Sequence, residues 1–360
     1  MLELTIGIVG STGVVGQTAL EILHDDFPGF KVKNLKLYAS KSSAGKKVSF
    51  KNKKITIEEI TLTSILECDA VLFASDATIS AEYIPKLAEK GILCIDKSSA
   101  FRTHPNVPLV VPEVNGELLN KNFLKKFPVV ASPNCCTIPL VMVLKPILEN
   151  FGIKKVILST YQSVSGAGKP GIDTLLEESK NFFNQQDLTS TSSNIFPKSI
   201  AFNVFPYVAG ILENGDTDEE SKIIAETRKI LANENFPISA TSVRVPTLVG
   251  HGESVTLELE KSFEISEIKE KLQKFPGLLV IDGTAIHDDE LQQYGQFVTP
   301  RECHGKDEVF VSRIRKVSVF ENGLSLWLVS DNLRKGAALN AIQVINTCAI
   351  NGTIQAILNK

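Results

Sequence analysis

The segment Ala131-Ser132-Pro133-Asn134-Cys135-Cys136-Thr137 sets two thiols between a turn-forming Pro-Asn pair and a helical pattern running from Ile138 to Leu148. The N-terminus of a helix favours negative charge, so a thiol held there is more readily a thiolate, the form that attacks a carbonyl carbon. Unpaired cysteine is also among the most buried residue types, and local context leaves both Cys135 and Cys136 as candidates. A thiolate added to an aldehyde gives a thiohemiacetal, which can lose hydride and leave a thioester for a second nucleophile to cleave. Such chemistry needs a hydride carrier and an acid–base group.

Among five histidines, His251 is the best acid–base candidate. It lies in Val249-Gly250-His251-Gly252-Glu253, read as a glycine-flanked loop between two strands with Arg244 nearby. His24, His287 and His304 sit in helical or polar contexts and read as structural or solvated.

For the hydride carrier, Gly10-Ser11-Thr12-Gly13-Val14-Val15-Gly16 stands between an apolar strand and an apolar-striped helix, the context of a dinucleotide loop. Its glycines allow a sharp turn and a close approach of pyrophosphate to helix N–H groups. The second strand ends in Tyr38-Ala39, followed by Ser40-Lys41-Ser42-Ser43. No carboxylate follows to bond a ribose 2′-hydroxyl, whereas hydroxyls and Lys41 suit a 2′-phosphate, so NADP is expected over NAD. Lys46 and Lys47 are a second source of positive charge nearby.

The elements that must position these groups are of two kinds. Short apolar runs at Leu4–Val9, Leu35–Tyr38, Ala70–Ala74 and Ile92–Ile95 alternate with helical patterns such as Val14–Leu23, which predicts a doubly wound parallel sheet. From about Ile153 the runs lengthen and alternate: Lys155–Val164, Ser242–Pro246, Ser254–Leu259, and Glu308–Leu328 with a turn at Glu321-Asn322-Gly323. Helical stretches at Gly171–Phe182, Asp218–Ala232 and Ile265–Phe275 interrupt them, and a last one covers Gly336–Ile350 after Ser330-Asp331-Asn332. The expected architecture is α/β, a Rossmann-type NADP-binding domain over 1–132 with the C-terminal helix 331–360. An α+β catalytic and dimerisation domain over 133–330 follows, with a mixed, largely antiparallel sheet. The polar run Asn184–Asn194 is the expected mobile surface loop or lid.

Composition excludes several classes. With 360 residues, 43% hydrophobic, 22% charged and a net charge of -3, the chain is expected to be an ordinary globular protein of two domains, without the basic excess of a nucleic-acid binder. Six cysteines without a CxxC pair suggest neither a disulfide framework nor a metal site. The acidic start, MLELTIGIVG, reads as a core strand rather than a signal peptide, and no apolar run reaches membrane-spanning length, so a cytoplasmic location is expected.

Taken together, these motifs resemble the aspartate-semialdehyde dehydrogenase family over essentially the whole chain. Ser132-Pro133-Asn134-Cys135 is similar to the family's nucleophile motif, which selects Cys135. Asp96-Lys97-Ser98-Ser99-Ala100-Phe101-Arg102, Tyr161 to Gly168, Asn203-Val204-Phe205-Pro206, Glu219-Glu220-Ser221-Lys222, Arg244-Val245-Pro246 and His251 follow in the family's order, and Ser330 to Ala338 resembles its terminal signature. The resemblance implies that Gln162 orients the acyl group, Arg102 and Lys222 bind phosphate, and Glu219 holds the substrate amine. It further implies that Arg244 grips the α-carboxylate and that His251 is the acid–base catalyst. Asn134 is implied at the substrate; Ser165, Gly166 and Asn332 are implied at the cofactor. The implied reaction is NADPH-dependent reduction of aspartyl phosphate to the semialdehyde by a homodimer or homotetramer. N-acetyl-γ-glutamyl-phosphate reductase and a non-catalytic nucleotide-binding relative are the alternatives. Cys136 stands where serine is common in the family, and Ser11 where alanine is.

Overall fold

The apolar opening run forms strand β1 (Leu2–Val9), whose side chains are buried on both faces from Ile6 onward, as expected of a central parallel strand. The computed structural model describes residues 1–184, 195–233, 236–282 and 294–358; residues 185–194 of the polar run and His287 lie outside them. Contacts divide the chain into two units, Met1–Asn134 with Ala337–Lys360, and Cys135–Gly336.

In the first unit β1 is followed by α1 (Val14–Ile22), β2 (Phe30–Ala39), β3 (Lys47–Phe50), β4 (Lys53–Glu59), β5 (Ala70–Phe73), α2 (Ala77–Glu89), β6 (Leu93–Asp96) and β7 (Val129–Ala131). The sheet order is β3-β4-β2-β1-β5-β6-β7, parallel throughout except for the β3/β4 hairpin. That hairpin was not foreseen from the sequence. Its strands carry lysines at 47, 53 and 54, which suit a solvated edge and hide the apolar alternation. Its turn rests on Lys51 and Asn52 at φ 42° and 63°, the left-handed pair that a tight hairpin demands.

The chain returns to this unit in α7 (Leu339–Ile350) and α8 (Thr353–Leu358). Ile342, Val344, Ile345 and Cys348 join Leu4, Ile6, Ile8, Leu35 and Leu37 in one core, each such side chain contributing about 1.5–3 kcal/mol by burial.

Glycine is needed at two places in the first loop. Gly10 has φ +80°, and a Cβ there would lie 2.6 Å from the Ala74 carbonyl oxygen. A Cβ on Gly16 would meet the Gly10 carbonyl oxygen at 2.3 Å, so α1 packs against the loop only because Gly16 has no side chain. Gly16→Ala is therefore expected to cost about 1–3 kcal/mol of stability and to weaken cofactor binding, which thermal unfolding with and without cofactor would reveal. Unchanged melting and affinity would contradict this packing.

In the second unit, β8 (Ile153–Gln162), β9 (Ile238–Arg244), β10 (His251–Leu259), β11 (Leu278–Val280), β12 (Val309–Val317) and β13 (Gly323–Ser330) form a mixed sheet in the order β11-β12-β13-β10-β8-β9. The central pairings β12/β13, β13/β10 and β10/β8 are antiparallel, whereas β11/β12 and β8/β9 are parallel. Helices α3 (Thr137–Phe151), α5 (Asp218–Leu231) and α6 (Ile265–Gln273) pack with one another and on this sheet, and α4 (Gly168–Phe183) follows β8. The opposite face exposes Ile157 and Tyr161.

Candidate active site

Strand register in the second unit sets four residues in one row. Gln162 pairs with His251 on one side and Arg244 on the other, and His251 pairs with Ser330. Directly paired residues point to the same face of a sheet, so Arg244, Gln162, His251 and Ser330 are delivered together to the helix-covered face, where all are buried. His251 is thus the first residue of β10 rather than part of the loop expected from its glycine neighbours. The loop ends at Gly250, whose φ of +90° makes the turn into the strand.

Helix α3, which packs against β13, brings the thiols to the same place. Cys136 is its N-cap and Cys135 precedes it. The sulfurs of Cys135 and Cys136 and a ring nitrogen of His251 all lie within 4.8 Å of one another. Cys135 is partly exposed, whereas Cys136 is fully buried. Burial first, and the neighbouring Cys135 second, push the Cys136 thiol well above its ordinary value, so Cys136 keeps its proton.

His251 is oriented by Ser163, whose backbone N–H and hydroxyl both lie 3.1 Å from Nδ1. A backbone N–H can only donate, so Nδ1 must accept and the proton of the neutral ring sits on Nε2. Nε2 is buried without a partner among the described residues. The Ser163 carbonyl in turn accepts 2.7 Å from Arg244 Nη1, so one residue sets both the imidazole and the guanidinium. Two sulfurs and an imidazole are also a ligand set for soft cations, but a ring with Nδ1 accepting and Nε2 protonated offers no lone pair. The cluster is built as a nucleophile beside a fixed hydrogen-bond donor.

Gln162 Nε2 donates to Thr160 Oγ1 and Glu219 Oε1, each at 3.2 Å. Glu219 lies in the first turn of α5, which Thr217 caps in a reciprocal box with Glu220. Arg244 has its guanidinium 5.8 Å over the Phe196 ring; burial lowers its pKa, while Glu219 and the two cysteines act the other way. Lys222 is one turn beyond Glu219 and ion-pairs with Asp218 of the same helix. Asn332 Oδ1 accepts from Gly250 N–H at 2.8 Å and lies 3.3 and 3.2 Å from the hydroxyls of Ser163 and Ser165, behind the imidazole. Gly166 lies beside these groups, since a Cβ there would be 2.9 Å from Arg244 Nη1 and 3.5 Å from His251 Nε2.

Two participants were missed in the sequence. Ser163 sets the imidazole and the guanidinium through its backbone N–H and carbonyl, which leave no side-chain signal. Glu253 did leave one: it stands two residues after His251 in a strand and so shares its face. Its side chain is fully buried, and neither carboxylate oxygen has a partner among the described residues. Burial first, then charge at Cys135, hold its pKa well above the ordinary 4.5. An acid whose folded pKa is raised contributes its full stability below about 4.5 and loses it as pH rises toward the folded value, at up to about 1.4 kcal/mol per pH unit. Glu253→Gln is therefore expected to melt higher than the parent at pH 8, by roughly 2–4 °C per kcal/mol, with the gap closing as pH falls toward 4.5. A gap independent of pH would show that Glu253 ionises freely in the fold.

In the first unit, the N-terminus of α1 has no side-chain cap, which leaves first-turn N–H groups for an anion, and Thr12 and Gly13 are exposed beside Val14 and Val15. Ser11 is buried and its hydroxyl donates 3.1 Å to the Tyr38 carbonyl, so its side chain ties the loop to β2. Ser40, Lys41 and Ser42 are exposed at the end of β2, with the two serine hydroxyls 2.9 Å apart. Arg102 is buried at the ends of β6 and β7, where Nε donates to Ser132 O at 3.0 Å and Nη2 to Lys97 O at 2.9 Å. Asn134 is buried at the end of this unit.

A Rossmann-type unit joined to a unit carrying a thiol beside an imidazole defines a nicotinamide-dependent oxidoreductase. Residues 5–122 match the family model described as semialdehyde dehydrogenase, NAD binding domain, and residues 144–335 that described as semialdehyde dehydrogenase, dimerisation domain. The aspartate-semialdehyde dehydrogenase of Aquifex aeolicus is 44% identical over 97% of this chain and 99% of its own. Among solved structures, aspartate semialdehyde dehydrogenase II of Vibrio cholerae complexed with ASA superposes with a TM-score of 0.89 at 35% identity, covering 96% of this chain and 98% of that one. The Candida albicans aspartate semialdehyde dehydrogenase with NADP gives 0.71 at 25% identity, over 98% and 99% of the two chains. The chain belongs to the aspartate-semialdehyde dehydrogenase family.

Proposed function

We propose that the protein performs the NADPH-dependent reductive dephosphorylation of L-aspartyl-4-phosphate to L-aspartate 4-semialdehyde, through a thioester on Cys135, for lysine, threonine and methionine synthesis. The observation that carries this reading is the partly exposed Cys135 thiol beside a histidine whose proton is confined to Nε2.

The Cys135 thiolate attacks the acyl carbon, the bond to the phosphate oxygen breaks, and phosphate leaves. A nicotinamide held at the Gly10–Gly16 loop would supply the hydride that reduces the thioester. As the resulting thiohemiacetal collapses, the sulfur leaves as thiolate and the His251 Nε2–H donates a charge-assisted hydrogen bond to it, stabilising the charge that develops there. In the reverse direction the same N–H stabilises the Cys135 thiolate that attacks the aldehyde, and phosphate cleaves the thioester. Arg244 suits the substrate α-carboxylate through a two-pronged charge-assisted contact, and Glu219 suits a free ammonium. Gln162, held by Glu219 and Thr160, orients the acyl group. Phosphate-binding roles for Arg102 and Lys222, a substrate contact for Asn134, and cofactor contacts for Ser165, Gly166 and Asn332 follow from family resemblance.

The residues of the first unit fit a dinucleotide: the uncapped α1 N-terminus suits pyrophosphate, and a Cβ on Gly13 would meet only the Gly10 carbonyl oxygen, at 3.4 Å. Ser40, Lys41 and Ser42 suit a 2′-phosphate, which supports NADP, the cofactor carried by the Candida albicans relative. A homodimer or homotetramer acting in the cytoplasm completes the reading.

Phosphate-dependent reduction of NADP with aspartate 4-semialdehyde tests it, with NAD and N-acetylglutamate semialdehyde as competitors. The expected result is turnover with the free-amine aldehyde and NADP. Preference for the acetylated aldehyde would assign an N-acetyl-γ-glutamyl-phosphate reductase instead, because Glu219 would then face no ammonium. Binding of NADP without turnover would leave a nucleotide-binding relative.

A further inference from the structure

Cys136 has no part in the reaction above, yet its thiol shares a side-chain hydrogen bond with Cys135, and the two sulfurs lie within 4.8 Å of each other. Of the six cysteines, Cys135 alone is not buried. The other thiols are deep: burial pushes Cys68 up to about 11 and Cys348 up to about 12, and holds Cys94 and Cys303 higher still. An oxidant entering from solvent therefore meets Cys135 first, with a second thiol already in contact behind it.

We propose that Cys135 and Cys136 are a redox modification site: hydrogen peroxide oxidises Cys135, and Cys136 closes a vicinal disulfide that reversibly silences the nucleophile. In the first step the Cys135 thiolate attacks the peroxide, an S–O bond forms as the O–O bond breaks, and hydroxide leaves, giving a sulfenic acid. In the second, the Cys136 sulfur attacks the Cys135 sulfur, the S–O bond breaks, and the departing hydroxide takes the Cys136 proton as water. Two thiols lose two electrons to one peroxide, which becomes two waters.

Covalent geometry makes this bond temporary. Neighbouring Cα atoms are about 3.8 Å apart across a trans peptide, closer than the roughly 4.4–6.8 Å that relaxed disulfides span. A strained disulfide is easily reduced, which suits a protective cap and not a structural cross-link. Without it, the sulfenic acid would proceed to sulfinic acid, which ordinary thiols do not reverse.

The test treats the full-length protein with hydrogen peroxide and then dithiothreitol. It follows aldehyde oxidation and, independently of any activity, the mass of the tryptic peptide carrying both cysteines. The expected wild-type product is that peptide lacking two hydrogens and resistant to thiol alkylation, with about nine-tenths of the activity returning on reduction. Cys136→Ser, which places the family's common residue there, keeps its basal activity but recovers about a tenth or less, with its peptide carrying added oxygen. Wild-type peptide that gains oxygen and stays irreversibly inactive, as the variant does, overturns the proposal. So does full recovery of the variant. The mass result stands whichever aldehyde proves to be the substrate, so failure here is distinct from failure of the assigned reaction.

Discussion

Cys135→Ser is expected to lower kcat for aspartate semialdehyde oxidation by on the order of 10⁴-fold or more while leaving cofactor affinity within about two-fold of the parent. Serine keeps the shape but offers a hydroxyl that ionises far above the working pH, and the activation that helix α3 and His251 can supply is tuned to a thiol. The nucleotide loop belongs to a separate unit, built from Met1–Asn134 and Ala337–Lys360. Cofactor titration should therefore be indifferent to this change. Steady-state rates and equilibrium binding on the same preparation decide the matter. A serine variant that retains a tenth of parental turnover would remove covalent catalysis from the account, and a variant that no longer binds cofactor would point to misfolding.

His251→Gln should reduce kcat by about 10²–10³-fold, with kcat/KM falling in parallel, because the Nε2–H it removes stabilises the sulfur's negative charge as the thiohemiacetal forms and collapses and not when substrate binds. Glutamine can still accept the Ser163 N–H and so preserves the neighbouring geometry, but its amide N–H sits on a flexible chain and is a weaker donor to the thiolate than the fixed imidazole N–H. Single-turnover measurement from the acyl phosphate should show phosphate release nearer to normal than aldehyde release. Equal slowing of both would mean that His251 chiefly generates the thiolate. Loss of substrate binding with normal kcat would make it a positioning group.

Much of the arrangement behind these two results is legible along the chain. The strand-loop-helix context of Gly10 to Gly16 identifies the nucleotide loop because its physics is local: a sharp turn, a close helix and free N–H groups all fall within seven residues. The thiols ahead of α3 and the alternation in β8, β10 and β13 are likewise short-range patterns. The β3/β4 hairpin was illegible because lysine on an edge strand is favoured by solvent exposure and conceals the alternation. Nothing in the loop's sequence shows that the Ser11 hydroxyl donates to the carbonyl of Tyr38, twenty-seven residues away.

The sequence by itself determined which chemical groups this protein has, the loops and helix starts that hold the first of them, and the family to which it belongs. Tertiary structure alone decided that Arg244, Gln162, His251 and Ser330 stand in one row, since register is a property of strands paired across separations of up to 89 residues and not of any one segment. It alone settled the tautomer of His251, because the donor that settles it is a backbone N–H of Ser163, 88 residues distant, which every residue type except proline could supply. The protonation of Glu253 was decided the same way: a carboxyl is a solvated anion in the chain and becomes a neutral acid only when the fold removes water from around it.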